Sequence, residues 1–294
     1  SLTGATYFSA TLSPNDDRVA LAMVEAGGTG TSQLWVKELP DGPLTRLTTT
    51  TGSSTAGRPV WSQDGRSISF IADNTDDVTF SHARSIAADG SSEGVSDVLL
   101  EHTRPVREVF FTPDERGLLF RQGVAGQGTA DLGFLDLQTG SIDETLLASD
   151  FDEFGMSLSP DGRWMAYSSD ASGRPEIFVR PFPEGTSRVQ VSANGGRSPV
   201  WAHNGRELFF SDADGVMAVA TYRTEPSFAV ESRDQLFSVS EYTGLLDWRA
   251  FDISSDDERF LMVSFVGRAQ MPEDSERIIL VQNYFEELRE RVSN

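Results

Sequence analysis

A hairpin-turn motif recurs six times along this chain, and it limits the available folds more than any other feature. The clearest copy reads Ser-Pro-Asp-Gly-Arg over residues 159–163, between two apolar segments. Proline presets φ at the first corner, the aspartate side chain bonds the turn backbone, and glycine accepts a positive φ. Each copy therefore predicts a β-hairpin. The other copies start at Ser13, Ser62, Thr112, Ala202 and Ser254.

The spacing of these hairpins predicts the architecture. Successive copies lie 49, 50, 47, 43 and 52 residues apart. In the first unit a third apolar segment follows at Gln33–Leu39 and a short fourth one at Thr45–Thr48. Four strands in every 40–50 residues are typical of β-propeller blades. A β-sandwich would not repeat one turn six times, and a helical solenoid would need a period of 3.6 residues.

We therefore predict an all-β, six-bladed β-propeller of four-stranded antiparallel blades, as a single domain over residues 1–294. The N-terminal Ser1–Thr3 resembles the end of a fourth strand, so we expect it to complete the sixth blade and close the ring, which removes an open edge. Helical spacing of Tyr284, Phe285, Leu288 and Val292 predicts a short C-terminal helix over 284–292. The expected blades are 7–50, 57–101, 106–149, 154–193, 197–240 and 248–283 with 1–6.

Composition excludes several classes of function. The chain has 24 Lys+Arg against 45 Asp+Glu, a net charge of −21, and such a surface repels nucleic-acid phosphates. It has no cysteine, which excludes disulfides, thiol catalysis and zinc-thiolate sites. No apolar run reaches the roughly 18–20 residues that a membrane span needs.

The sequence shows no catalytic constellation, so we expect a non-enzyme. Its histidines, His82, His102 and His203, are far apart and accompany no Gly-x-Ser-x-Gly elbow. The alternative is a metal-dependent hydrolase or lyase, of the lactonase-like propeller type, with its site in the central channel. Among the first-strand positions that would line the channel only Glu108 and Asp252 are acidic, which gives a metal cage poor support.

No cofactor is expected, and Ca²⁺ is the better guess for a metal. Asp212, Asp214, Asp73 and Asp76 are weak candidates, since they offer hard oxygen ligands on loops. A complete EF-hand pattern is absent, and aspartates in hairpin loops also serve turn chemistry alone.

Long, varied loops join the second and third strand of each unit, and function concentrates on such loops. They carry many acids, Asp170 and Asp274 among them. The acids form either a solvated rim or a docking surface for a basic protein or a cation. Between the fifth and sixth units an apolar segment carries Tyr242, Leu245, Leu246 and Trp248. It either plugs the channel mouth or supplies the anchors of an interface with a protein partner.

The turns, together with Pro-Val-Trp-Ser at 59–62 and Arg-Leu-Thr at 46–48, resemble the TolB-type, WD-repeat-like propeller repeat. The order of motifs through 191–201, 204–210 and 282–289 is similar to the extracytoplasmic propeller of bacterial membrane-anchored serine/threonine kinases and their kinase-free relatives. The resemblance covers essentially the whole chain.

This resemblance implies a non-catalytic sensor, docking or scaffold domain that binds a protein or ligand. It implies a bacterial, periplasmic or otherwise extracytoplasmic location, and protein partners in a membrane-associated complex. The chain carries none of the kinase motifs. A membrane tether or kinase domain would have to lie upstream of Ser1.

Overall fold

The computed structural model describes residues 5–25, 27, 30–49, 54–74, 81–92, 94–102, 104–123, 130–240, 242, 249, 251–264 and 277–281. These residues form six antiparallel β-sheets, and no helix occurs among them. In the same residues no helix is long and apolar enough to cross a membrane.

Each sheet is a meander in which strands pair in chain order. Sheet 1 comprises β1 (Thr6–Leu12), β2 (Arg18–Val24), β3 (Gln33–Glu38) and β4 (Leu44–Arg46). Sheet 2 comprises β5 (Ser54–Trp61), β6 (Ser67–Asn74), β7 (Ser81–Ala87) and β8 (Asp97–Leu100). Sheet 3 comprises β9 (Val106–Phe111), β10 (Gly117–Gln122), β11 (Asp131–Asp136) and β12 (Ile142–Leu147). Sheet 4 comprises β13 (Glu153–Leu158), β14 (Trp164–Ser169), β15 (Glu176–Pro181) and β16 (Val189–Gln190). Sheet 5 comprises β17 (Arg197–Trp201), β18 (Glu207–Ser211), β19 (Val216–Arg223) and β20 (Ala229–Ser238). Sheet 6 comprises β21 (Phe251–Ile253), β22 (Phe260–Ser264) and β23 (Arg277–Val281).

The expectation of six four-stranded blades is wrong. Five sheets have four strands, whereas sheet 6 has three among the described residues. A fourth strand for it was expected from 1–6, but Thr6 pairs with Val24 inside sheet 1, and 1–4 lie outside the described residues. The C-terminal helix over 284–292 is not shown, because that segment also lies outside them.

The apolar core is divided among the junctions between neighbouring sheets. Trp61 and Phe70 of sheet 2 pack against Leu34 of sheet 1, and equivalent clusters fill the other junctions. Leu261 and Val263 of sheet 6 pack against sheet 1, so the ring closes through side chains. Inner strands are covered on both faces, and accordingly β10 is buried along its whole length, whereas β12 at the edge is mostly exposed.

The hairpin turns form one face of the ring, and acidic side chains bridge them. Asp16, Glu115 and Asp257 occupy the glycine position of their turns, with φ of 59°, 54° and 61°. Each accepts hydrogen bonds from backbone N–H groups in the turn of the preceding sheet. Asp16 accepts from Ser255 N at 3.0 Å, and Asp257 accepts from Asn204 N at 2.9 Å. Glu115 accepts from Gln63 N, so these acids link sheet 1 to 6, 6 to 5 and 3 to 2.

Candidate site: the channel mouth on the long-loop face

The first strands converge on the ring axis, and most of them are locally irregular there. In sheets 1 to 5 the pairing of the first strand with the second shifts register within the strand. Such β-bulges turn a side chain away from the sheet plane and are frequent beside functional sites. The irregular positions of three sheets line one small cavity.

Arg58, Gly155 and Ser198 occupy the same place in their strands, four residues before the first residue of the hairpin turn. All three have left-handed backbone, with φ of 55°, 60° and 56°. For a residue with a Cβ this conformation is costly, and Arg58 and Ser198 also precede prolines, which disfavour it further. Strain of this kind concentrates at binding and catalytic sites.

Two cavities meet at Arg58 and Ser9, which line both. The inner one, of about 30 Å³, also touches Thr11, Glu108 and Arg249. The outer one, of about 270 Å³, lies between sheets 1 and 2 at the ends of strands that join the long loops. Its lining is Phe8, Ser9, Gly30, Ser32, Thr55, Gly57, Arg58 and Asp73.

The channel carboxylate of Glu108 accepts hydrogen bonds from other residues of the propeller. Its Oε2 accepts hydrogen bonds from Arg121 Nε at 2.8 Å and from Gly155 N of the next sheet at 3.1 Å. Both side chains of the ion pair are buried. Burial raises the pKa of Glu108, and Arg121 partly offsets this. Its Oε1 is buried without a hydrogen-bond partner among the described groups, beside a cavity large enough for water.

The second channel carboxylate, Asp252, also accepts hydrogen bonds from protein groups. Its Oδ2 accepts from Thr11 Oγ1 at 2.6 Å and from Leu12 N at 2.9 Å, which joins sheet 6 to sheet 1. Its Oδ1 accepts from Arg249 and from its own neighbour Ile253 N. Both acids that the sequence places in the channel thus bind protein groups.

Arg58 and Asp73, which line the outer cavity, both bond Arg107. Arg58 donates from Nη1 to the Arg107 carbonyl at 2.7 Å, and its N–H donates to Ser9 Oγ at 3.2 Å. Arg107 donates to Asp73 Oδ1 at 3.2 Å, and Ser81 donates to the same oxygen. Burial lowers the pKa of Arg58 to about 10, so its guanidinium remains charged at neutral pH.

The calcium candidates have protein partners where they are described. Asp212 Oδ1 accepts from the N–H groups of Asp214 and Val216, and its Oδ2 accepts from Gln235. Asp214 accepts from Asn194 Nδ2 at 2.6 Å, and Asp73 bonds Arg107 as above. Asp76 lies outside the described residues. Within the described chain, no group of three or more acidic or histidine side chains is arranged to hold a metal ion.

Most of the expected interface residues lie outside the part of the chain that the structure describes. Tyr242 packs partly buried against the core between sheets 5 and 6. Leu245, Leu246, Trp248 and Asp274 lie outside the described residues. Asp170 accepts a hydrogen bond from Asp152 N at 3.0 Å and so joins the loop after β14 to the segment before β13. The interface assignment remains a prediction.

Two histidines are held by carboxylates of the scaffold. His102 Nε2 lies 3.0 Å from Glu144 Oε1, and His203 Nδ1 lies 2.8 Å from Asp257 Oδ1 on the turn face. His82 lies in β7, with its Nδ1 buried and no partner for that atom among the described groups. The structure does not bring the three histidines into one site.

The arginine at the channel, Arg58, was not among the predicted site residues. It directly precedes Pro59 in Gly-Arg-Pro-Val-Trp over 57–61, whereas the matching segment Arg-Ser-Pro-Val-Trp over 197–201 has Ser198 at that place. The repeated Pro-Val-Trp aligns the two strands, so an arginine at the aligned position was the available signal. The register shift beside Arg58 has no comparable signature in the sequence.

No protein family and no curated protein matches the sequence, whereas solved structures match the fold. TolB from Acinetobacter baumannii aligns with a TM-score of 0.67 and 15% identity over 92% of this chain and 62% of its own, so this chain spans less than two thirds of that protein. A putative TolB from Agrobacterium tumefaciens aligns at 0.62 and 18%, covering 95% and 90%. An oligogalacturonate lyase in complex with manganese aligns at 0.63 and 15%, covering 95% and 77%.

These similarities show the fold, a TolB-like β-propeller. They lend no support to the narrower resemblance to propellers of membrane-anchored kinases. Because proteins described as TolB and as a lyase align about equally well, the fold alone does not separate binding from catalysis.

Proposed function

We propose that this chain is a non-catalytic binding propeller whose ligand or protein partner docks at the channel mouth on the long-loop face. The observation that carries this proposal is the use of the channel carboxylates. Glu108 bonds Arg121 and Gly155, and Asp252 bonds Arg249 and Thr11. A metal ion or a general base needs such groups available, whereas these two carboxylates accept hydrogen bonds from protein groups that join neighbouring sheets.

We further propose that it works outside the cytoplasm, as a sensor, docking or scaffold part of a membrane-associated assembly. Support for this comes from the TolB-like fold and from the motifs shared with extracytoplasmic propellers. The narrower relation to kinase-linked propellers belongs to the same proposal.

Gly57 allows a direct test, because a Cβ built there meets no atom within 4 Å and the residue lines the outer cavity. Ligand-observed NMR with a library of small metabolites should find binders to the wild-type protein. Gly57→Trp should fill the cavity and abolish their binding while the circular-dichroism spectrum stays unchanged. Binders that are indifferent to Gly57→Trp would contradict this location.

The alternative is a metal-dependent hydrolase or lyase, favoured by the likeness to a lyase solved with manganese. Elemental analysis of the purified protein, followed by a hydrolase and lyase panel with added divalent ions, separates the two. The binding proposal predicts no turnover. Metal-dependent turnover that is lost in the Glu108→Gln variant would contradict the binding proposal and support the enzymatic alternative.

A further inference from the structure

We propose that Asn204, in the hairpin turn of sheet 5, is a site of spontaneous deamidation, and that the fold directs this reaction to Asn204 and away from Asn194. The sequence has two Asn-Gly pairs, Asn194–Gly195 and Asn204–Gly205. A glycine nitrogen attacks the preceding asparagine side chain readily, because glycine has no Cβ to obstruct the approach. This modification goes beyond the proposed function and does not depend on it.

The reaction needs only water as a second reactant. Gly205 N forms a bond to Asn204 Cγ, the Cγ–Nδ2 bond breaks, and ammonia leaves with the proton of the Gly205 N–H. Water then opens the cyclic imide. Attack of water at Cγ gives aspartate, whereas attack at the backbone carbonyl of residue 204 gives isoaspartate, whose main chain runs through the former side chain.

The first argument is the hydrogen bond that each glycine nitrogen must leave before it attacks. Gly205 N donates to the Ala202 carbonyl at 3.1 Å, a neutral bond within the turn. Gly195 N donates to Glu176 Oε1, also at 3.1 Å, and the Glu176 side chain is only 3% exposed. Bonds to a carboxylate are roughly twice as strong as neutral ones, so Gly205 N leaves its acceptor more easily.

The second argument concerns the side-chain amides. Arg206 N donates to Asn204 Oδ1 at 2.8 Å, and this is the oxygen on which negative charge develops during the attack. A donor already at that place stabilises the transition state. The leaving nitrogen of Asn204 lies 3.2 Å from Glu207 Oε2, whereas that of Asn194 lies 2.6 Å from Asp214 Oδ2. The shorter bond holds the Asn194 amide more firmly.

The third argument is space. Ring closure rotates the Asn-Gly peptide, and water must then reach the ring. Gly195 is buried, a Cβ built on it lies 2.7 Å from Ala213 Cβ, and Ala213 N donates to the Asn194 carbonyl at 3.0 Å. Gly205 is exposed, and a Cβ built on it meets no atom within 4 Å apart from its chain neighbours. Both requirements are therefore met at Gly205 and not at Gly195.

The modification has a consequence for the junction of sheets 5 and 6. Asp257 of sheet 6 accepts hydrogen bonds from His203 N at 2.7 Å and from Asn204 N at 2.9 Å. Either product places a new carboxylate beside Asp257, and like charges at short range repel. Isoaspartate also lengthens the main chain of the turn, which displaces the N–H groups that Asp257 binds.

Peptide mapping by mass spectrometry of the folded wild-type protein, aged in mildly alkaline buffer, tests the site. Tryptic cleavage after Arg188, Arg197 and Arg206 places the two asparagines in separate peptides, 189–197 and 198–206. In the folded protein, conversion of the amide to the acid should accumulate in 198–206 at least about tenfold faster than in 189–197. The matched control is the same two peptides, digested before ageing, which should react at similar rates because the fold no longer separates them.

Asn204→Gln tests the consequence, since the longer side chain closes such a ring far more slowly. The melting temperature of the wild-type protein should fall during ageing, whereas that of Asn204→Gln should stay constant in time. Equal rates at the two sites of the folded protein, or a faster reaction at Asn194, would overturn the inference. So would an unmodified folded protein after a period that modifies both free peptides. An equal fall of the melting temperature in Asn204→Gln would overturn the effect on the junction.

Discussion

In three hairpin turns an acidic residue occupies the glycine position of the motif, and its side chain accepts hydrogen bonds that glycine could not accept. Asp16 adopts φ of 59° and accepts hydrogen bonds from Ser255 N, Ser255 Oγ and Arg259 Nη2 across the junction of sheets 1 and 6. Glycine would adopt that φ more easily but would leave those donors without this acceptor. These departures from the motif therefore cap the turn of the neighbouring sheet.

We predict that Asp16→Gly lowers the free energy of unfolding by about 1 kcal/mol, because the lost caps outweigh the relieved backbone. Glu115→Gly makes the same backbone change but loses a cap on Gln63 alone, so its effect should be smaller. Urea denaturation of both variants measures this. An Asp16→Gly protein more stable than the wild type would mean that backbone strain dominates.

Glu153 gives a pH-dependent prediction. Burial raises its pKa to about 7, and hydrogen bonds from Ser149 and Ser169 offset this only in part. The folded state therefore keeps the proton through a range where the unfolded chain, with an ordinary value of 4.5, has released it. Its contribution to stability is present below about pH 4.5 and is lost as pH rises to about 7.

Glu153→Gln, which cannot ionise, should consequently be more stable than the wild type at about pH 8, and the gap should close near about pH 5. Melting temperatures at both pH values test this. Glu231→Gln, on the exposed part of β20, is the control and should show no such difference. A gap independent of pH would contradict the assigned titration.

At the scale of the element, sequence reasoning worked where side-chain pattern decides the outcome. The hairpin motif located the paired first and second strands, and an apolar segment predicted a third strand at Gln33–Leu39. The structure has β3 at Gln33–Glu38. Two fourth strands are very short, β4 with three residues and β16 with two, so they leave little pattern to read.

Tryptophans at the ends of β5 and β17 make equivalent contacts between sheets. Trp61 Nε1 donates to the Thr11 carbonyl and Trp201 Nε1 donates to the Ser157 carbonyl, each at 3.1 Å and each in the preceding sheet. The motif Pro-Val-Trp therefore places an indole N–H at the junction. The indole of Trp35 in β3 is also buried, but its Nε1 has no partner among the described groups.

Trp201→Phe should lower the free energy of unfolding by about 1 kcal/mol more than Trp35→Phe does. Both changes remove the same atoms, but only the first removes a hydrogen bond between sheets. Chemical denaturation of the two variants measures the difference. Equal losses would show that ring packing alone carries the effect.

At the scale of the whole molecule, the net negative charge opposes folding. A net charge of −21 on 294 residues disfavours the compact state by self-repulsion, while the Arg121–Glu108 ion pair at the channel is buried. Added salt screens the exposed acids far more than it weakens the buried pairs.

The melting temperature should therefore rise between about 10 mM and about 150 mM sodium chloride, over which the Debye length falls from about 30 Å to about 8 Å. Sodium and potassium chloride should act alike, because the effect is one of ionic strength. A melting temperature that falls with salt would mean that exposed ion pairs outweigh the repulsion.

Hydrogen bonds tie neighbouring sheets together around the whole ring: Ser9 with Arg58, Arg58 with Arg107, Glu108 with Gly155, Ser157 with Trp201, Asn204 with Asp257, and Asp252 with Leu12. Repeat proteins built as open stacks have end units that fray first. A closed ring has no end unit, so the loss of the contacts at any junction leaves two sheets without a neighbour at once. Despite its repetitive sequence, this protein should therefore unfold cooperatively, with all sheets losing their structure in one step.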